Sequence, residues 1–181
     1  KLEFHPIGKI MRKVLITGAT GFTGRYMAEE LAACGYEVHG LSYRQPVGEL
    51  PAAVSAVHCC SLNNAELLRA LLIEIRPTYV VHLAAVSFVA HSDADAIYTA
   101  NLLGTRHLLE ALRTAATELE GVLLASSANV YGNATEGVLD ESAPFAPAND
   151  YAVSKAAMEF LARLYQDRLP LIVSRPFNYT G

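Results

Sequence analysis

Short, almost unbroken apolar runs alternate along the chain with longer stretches in which apolar positions recur every three or four residues. Lys13-Val14-Leu15-Ile16-Thr17 predicts a strand buried on both faces, and Phe22 to Cys34 an amphipathic helix stopped by Gly35. Glu37 to Leu41 predicts a second strand, Val54 to Cys59 a third, Ala65 to Ile75 a helix ending before Pro77, and Tyr79 to Leu83 a fourth strand. Ala94 to Ala116 predicts a long helix with a break near Gly104, Gly121 to Ala125 a fifth strand, Asp150 to Arg168 a helix, and Leu171 to Ser174 a sixth strand. A polar loop with Gly132, Gly137, Pro144 and Pro147 precedes that last helix. This alternation is the pattern of an α/β fold: a Rossmann-type, doubly wound parallel sheet with helices on both faces. Lys1 to Ile10 carry no periodic pattern and read as a leader or an appended remnant, with Met11 the natural start.

Composition bounds what such a fold can do. The 181 residues suggest one domain, and 52% hydrophobic against 18% charged residues predicts a packed core rather than disorder. A net charge of -4 argues against a nucleic-acid or anionic-membrane surface. The densest apolar run, Tyr79 to Ala90, is interrupted by His82 and falls short of the roughly 18 residues of a membrane span. Cys59 and Cys60 are adjacent, Cys34 is distant, and the histidines are scattered. The expectation is reduced thiols, a cytoplasmic protein and no metal site.

The loop joining the first strand to the first helix carries chemistry. Thr17-Gly18-Ala19-Thr20-Gly21-Phe22-Thr23-Gly24 spaces its glycines G-x-x-G-x-x-G. Gly18 allows the tight turn, Gly21 lets backbone approach a pyrophosphate, and Gly24 lets the helix lie close to the strand. The helix N-terminus then offers N–H groups and partial positive charge to phosphate. A dinucleotide cofactor is the expected ligand of Gly18, Thr20, Gly21, Phe22, Thr23 and Gly24. The second strand runs on into Leu41-Ser42-Tyr43-Arg44, with no acid to hold a ribose 2′-hydroxyl. Arg44 suits a 2′-phosphate, which favours NADP(H) over NAD(H).

Two further elements point to catalysis. Tyr151 and Lys155 stand at i and i+4 of a helix, on one face. A tyrosine titrates at about 10, and a neighbouring ammonium favours the phenolate, bringing proton transfer into range at neutral pH. Ser126 and Ser127 follow the fifth strand, at the carboxyl edge where open α/β sheets bind ligands. A hydroxyl there can support a developing oxyanion.

Together these residues resemble the extended short-chain dehydrogenase/reductase family, in its nucleotide-sugar branch. The resemblance spans Arg12 to Gly181 and rests on Thr17 to Gly24, His82-Leu83-Ala84-Ala85, Asn101, Ser126-Ser127 with Val130-Tyr131-Gly132, Tyr151 with Lys155, and Arg175-Pro176-Phe177-Asn178. It implies that residues 11–181 form an NAD(P)-binding Rossmann domain, and that the family's smaller C-terminal substrate part is absent from this chain. It implies Tyr151 as acid/base, Lys155 as its orienter and a ribose ligand, and Ser127 on the reacting sugar oxygen. Leu83, Ala84 and Ala85 would line the cofactor; Ser87, Ser127, Asn129 and Asn178 would meet the sugar. Sugar 4,6-dehydratases of this branch carry a glutamate base two residues after the catalytic Ser/Thr. Asn129 occupies that position, which disfavours elimination. The Ala85 to Val89 stretch, the Asn101 to Thr105 run and the Arg175 to Gly181 ending are most similar to GDP-4-dehydro-6-deoxy-mannose reductases. The implied reaction is NAD(P)H-dependent reduction of a C4 ketone on a nucleotide sugar, most readily a GDP sugar. A 4-epimerase, a dehydratase relative and a non-catalytic NADP-binding module stand as alternatives. The family also implies a homodimer formed through the two long helices. One departure concerns adenine: Cys60 stands where an aspartate usually begins the loop after the third strand.

Overall fold

The computed structural model describes residues 11–45, 52–87, 93–115, 118–133 and 137–178. Six strands form one parallel sheet: β1 (Lys13–Thr17), β2 (Glu37–Ser42), β3 (Ala56–Cys59), β4 (Tyr79–His82), β5 (Gly121–Ala125) and β6 (Leu171–Ser174). Their order is β3-β2-β1-β4-β5-β6. The chain therefore reverses its direction of sheet growth between β1 and β4, and the crevice outside their carboxyl ends is where such sheets bind ligands.

Helices α1 (Phe22–Ala33), α2 (Ala65–Ile75), α3 (Ala94–Tyr98), α4 (Gly104–Ala115) and α5 (Asp150–Arg163) cover the sheet. Alternation along the strands builds two cores. Leu15, Leu41, Val122 and Leu124 face Leu68, Leu72, Leu108, Leu112 and Met158 on α2, α4 and α5. Val14, Ile16, Val38 and Val81 face Ala28 on α1. No helix among the described residues is long and apolar enough to cross a membrane.

Four boundaries differ from the sequence expectation, each for a physical reason. Val54 is buried but fills the α1-side core; the chain first meets β2 at Ser55, whose N–H donates to Val38 O at 2.8 Å, and runs in register with it from Ala56. Strand β4 ends at His82, because β1 turns away at Gly18 and the N–H of Ala84 donates to the Thr17 side chain, at 3.1 Å, instead of to a strand carbonyl. Helix α5 ends at Arg163. Buried Tyr165 and Leu169 keep a helical spacing, but Leu164 is exposed and the intervening residues form turns. The long helix does not break at Gly104. It passes through a π turn at Thr99–Leu103 and continues without interruption into α4, while Ala116 lies outside the described residues. The leader at 1–10, Phe88, Val89 and residues 179–181 also lie outside them.

Candidate functional site

The glycine loop sits at the reversal point. Gly18 adopts φ +75, which a side chain rarely tolerates, and its N–H donates to Leu41 O at 3.0 Å. A Cβ there would stand 2.9 Å from Ala84 N, so the loops after β1 and β4 are in backbone contact. A Cβ at Gly24 would overlap Gly18 O and Ala19 Cα, which is the close seat of α1 on the strand. Gly21 differs: its Cβ would meet Gly18 O alone, at 3.3 Å, with open space beyond.

The electrostatics of α1 agree with that opening. Helices α2, α3 and α5 are capped by Asn64, Asp93 and Asn149 and carry Glu66, Asp95 and Asp150 in their first turns. Helix α1 begins at Gly21 with no side-chain cap and no acid. Its positive end is thus left to an anion, and the residues present fit a pyrophosphate. Gly21 and Phe22 are exposed beside half-buried Thr20 and Thr23. Arg44 lies just past the carboxyl end of β2, exposed, with its guanidinium 5.6 Å from the Tyr43 ring centroid and no ion pair among the described residues. Ser42 Oγ donates to Arg44 O at 2.7 Å and fixes the turn. The Cys60 thiol, by contrast, is buried and donates to Ser61 O at 3.2 Å; burial, and then Cys59, push it up from the usual thiol range. It points at its own backbone rather than outward.

Tyr151 and Lys155 occupy the first turns of α5, where Asn149 Oδ1 accepts from Ala152 N at 2.8 Å. Lys155 is 3% exposed, and its Nζ lies 5.9 Å from the Tyr151 ring centroid. That ammonium donates to Ala125 O at 2.6 Å, joining α5 to the end of β5. Burial lowers its pKa to about 8. With three N–H donors and one acceptor in the described chain, it can still donate to ligand hydroxyls. Of the two serines, Ser126 is buried, its Oγ without a partner among the described residues, whereas Ser127 is half-buried at the start of the 3-10 turn Ala128–Tyr131. Ser127 is the more accessible of the two. Ser87, Asn129 and Asn178 are exposed on the same carboxyl edge, after β4, β5 and β6, and share no hydrogen bond with one another.

Sequence reasoning assigned no role to the side chains that hold these groups in place. Asn101, buried in the π turn, accepts from Val86 N at 2.7 Å and donates to Val86 O at 2.9 Å and to Ser154 Oγ at 3.0 Å. Ser154 donates in turn to Tyr151 O at 2.7 Å. Arg175 forks onto Glu159 (Nε to Oε1 2.9 Å, Nη2 to Oε2 2.7 Å) and reaches Tyr131 OH at 2.8 Å and Glu141 O at 3.2 Å. It thereby ties β6, α5 and the turn bearing Ser127 together. The available signal was a polar residue inside an apolar helix face, at Asn101 and Glu159.

Known proteins resemble this chain in sequence and in fold. The family model described as GDP-mannose 4,6 dehydratase matches residues 15–181. A GDP-6-deoxy-D-talose 4-dehydrogenase of Aggregatibacter actinomycetemcomitans is 31% identical, over 93% of this chain and 53% of its own. A GDP-mannose 4,6-dehydratase of Vibrio cholerae is 35% identical, over 86% and 46%. The chain thus spans about half the length of the curated relatives it matches. Among solved structures, the Thermus thermophilus UDP-glucose 4-epimerase, in complex with NAD, superposes with TM-score 0.80 at 34% identity, covering 90% of this chain and 54% of that one. A Burkholderia cenocepacia structure described as a proposed epimerase gives 0.86 at 50% identity, covering 94% and 55%.

Proposed function

The chain belongs to the GDP-mannose 4,6 dehydratase family, and from that premise we propose that it is the dinucleotide-binding part of a nucleotide-sugar C4 reductase. The substrate class is a nucleotide-linked 4-keto-6-deoxyhexose, with GDP the favoured nucleotide, and the cofactor is NADPH. The observation that carries the reading is Asn129, exposed two residues beyond Ser127 while Tyr151 and Lys155 stand on α5. A neutral amide cannot take the carbon-bound proton that elimination requires. The groups needed for proton delivery to a carbonyl oxygen remain. The 4-dehydrogenase from Aggregatibacter, named for redox chemistry at the same carbon, supports this choice.

In this reading Ser127 Oγ donates a hydrogen bond to the sugar O4 and steadies the charge that grows there. Tyr151 gives its phenolic proton to the same oxygen, and Lys155 holds the Tyr151 face of the helix against the end of β5 while stabilising the phenolate left behind. A bound nicotinamide supplies hydride chemistry. The helix α1 N-terminus would hold its pyrophosphate and Arg44 a 2′-phosphate. A homodimer through α4 and α5, working in the cytoplasm, completes the proposal.

The test uses the full-length gene product with GDP-4-dehydro-6-deoxy-D-mannose and NADPH. Stoichiometric NADPH oxidation with formation of a 6-deoxyhexose, lost in Tyr151→Phe with cofactor binding retained, is expected. Interconversion of C4 epimers without net NADPH consumption would replace this reading with the epimerase one, which the likeness to the Thermus enzyme favours. Dinucleotide binding with no turnover of either kind would leave a binding module.

A further inference from the structure

We propose that His82 is a positioning residue: in its Nε2–H tautomer it completes a one-way chain of hydrogen bonds linking the glycine loop to the helix that bears Tyr151. The proposal rests on the functional reading only in taking the glycine loop as the dinucleotide site.

His82 ends β4 directly opposite Thr17, the last residue of β1, and is 1% exposed. Its Nδ1 lies 2.7 Å from Thr17 Oγ1 and its Nε2 lies 2.8 Å from Thr105 Oγ1. A neutral imidazole has one donor and one acceptor nitrogen, so the partners decide the tautomer. Thr105 Oγ1 is 2.6 Å from Asn101 O, a carbonyl that can only accept. The Thr105 hydroxyl proton is therefore committed to Asn101, and its oxygen must accept from His82 Nε2–H. Nδ1 is then the acceptor, and the Thr17 hydroxyl must donate to it. The Thr17 oxygen is left to accept from Ala84 N at 3.1 Å. Every link fixes the direction of the next, from Ala84 N–H through Thr17, His82 and Thr105 to Asn101 O.

Both ends of this chain meet the candidate site. Ala84 is the residue against which Gly18 is pressed. Asn101 grips Val86 and Ser154, and Ser154 donates to Tyr151 O. A protonated ring would aim a second N–H at the Thr17 oxygen and force that hydroxyl to turn. Burial, with the Lys155 ammonium as the neighbouring charge, keeps the ring neutral by lowering its pKa to about 3. A histidine that only filled the core would not need two hydroxyls placed to read its tautomer.

Two measurements test the idea, both on the 181-residue chain. Two-bond nitrogen–proton correlation spectra of histidine-labelled protein at neutral pH should show His82 as Nε2–H. In Thr105→Val the Nε2–H loses its acceptor, so the ring should switch to Nδ1–H; Thr105→Ser should restore Nε2–H. Calorimetric titration with NADPH should show Thr105→Val binding about tenfold more weakly, the order expected for one buried hydrogen bond, although Thr105 lies on α4. In a Thr17→Val background the same change should have no further effect. An Nδ1–H ring in the parent, an Nε2–H ring that persists in Thr105→Val, or independent effects of the two threonine changes would overturn the proposal. If the parent chain binds neither NADPH nor NADH, the functional reading falls, and the tautomer spectra still decide this one.

Discussion

Gly21 and Gly24 stand three residues apart in the same loop, and alanine at each should fail in opposite ways. At Gly24 a Cβ would overlap Gly18 O and Ala19 Cα, backbone atoms that cannot rotate away. Overpacking of that kind costs about 1–3 kcal/mol, and the upper end applies here. Alanine's better helix propensity returns about 1 kcal/mol. The net loss is about 2 kcal/mol, or roughly 4–8 °C in Tm for a chain of this size. At Gly21 the backbone has φ -74, open to any residue, and the one neighbour at 3.3 Å need give only slightly. The entropy alanine removes from the unfolded chain, about 0.4–1 kcal/mol, offsets its poorer capping, so stability should stay within about 1 kcal/mol of the parent. The methyl group would nonetheless occupy the approach of the pyrophosphate. Losing one or two charge-assisted hydrogen bonds there, about 3 kcal/mol together, predicts roughly a hundredfold weaker NADPH binding. Urea unfolding and calorimetric titration of both variants read the two quantities separately. Parent-like affinity in Gly21→Ala, or parent-like stability in Gly24→Ala, would refute the assignment of the loop.

Other positions separate binding from stability in the same manner. Lys155 titrates at about 8 in the fold against 10.5 for the free side chain, so the unfolded state binds more protons between those values and stability rises with pH across them. Below about pH 8 the buried ammonium costs about 3 kcal/mol, and leaving Ala125 O without its donor offsets part of what removing that charge gains. Lys155→Met should therefore stabilise the cofactor-free chain at pH 7 by on the order of 1 kcal/mol, with the gain vanishing by about pH 10, while weakening cofactor binding; urea midpoints across pH check it, and a destabilised variant at pH 7 contradicts it. Arg44→Ala should weaken NADPH binding far more than NADH binding, and equal losses in titration would remove the 2′-phosphate role. Arg175→Met should destabilise the chain by about 3–5 kcal/mol, because it strands the Glu159 carboxylate, 5% exposed, without its partner; a loss below about 1 kcal/mol in urea unfolding would show that the pair carries little.

Hydrophobic period alone placed six strands and the helices between them, since a parallel sheet buried on both faces writes itself as apolar runs. Strand ends were less legible. Whether Val54 pairs with β2 or only fills the core depends on a register that no local pattern records. Gly18 and Gly24 were readable because spacing between a strand and a helix restricts what glycine is for: one takes the positive φ of the turn, the other the close seat of α1, and Gly21 is left with open space beside it. The supporting polar residues were not readable as such. His82, Thr17 and Thr105 come from three elements, and their hydroxyl and imidazole directions exist only once β1, β4 and α4 are stacked. Arg175 belongs to a motif that carries the family resemblance, yet its guanidinium is committed to Glu159, Tyr131 and Glu141.

The π turn at Thr99–Leu103 has a consequence for how this segment tolerates changes of length. An α-helix rotates by about 100° per residue, and a π turn holds one residue more than the α-helical path would. Deleting a single residue there would let α3 and α4 wind as one regular helix with α4 close to its present phase, because the wider turn spreads its extra residue over about the same rotation. Leu108, Leu109 and Leu112 would still face the sheet, and Arg106 and Arg113 would still lie outside it. Asn101, however, lies inside the wide turn and would lose Val86 and Ser154 when it closes. The turn thus absorbs one residue without rotating α4, and what that residue supplies is the placement of Asn101 rather than the phase of the helix.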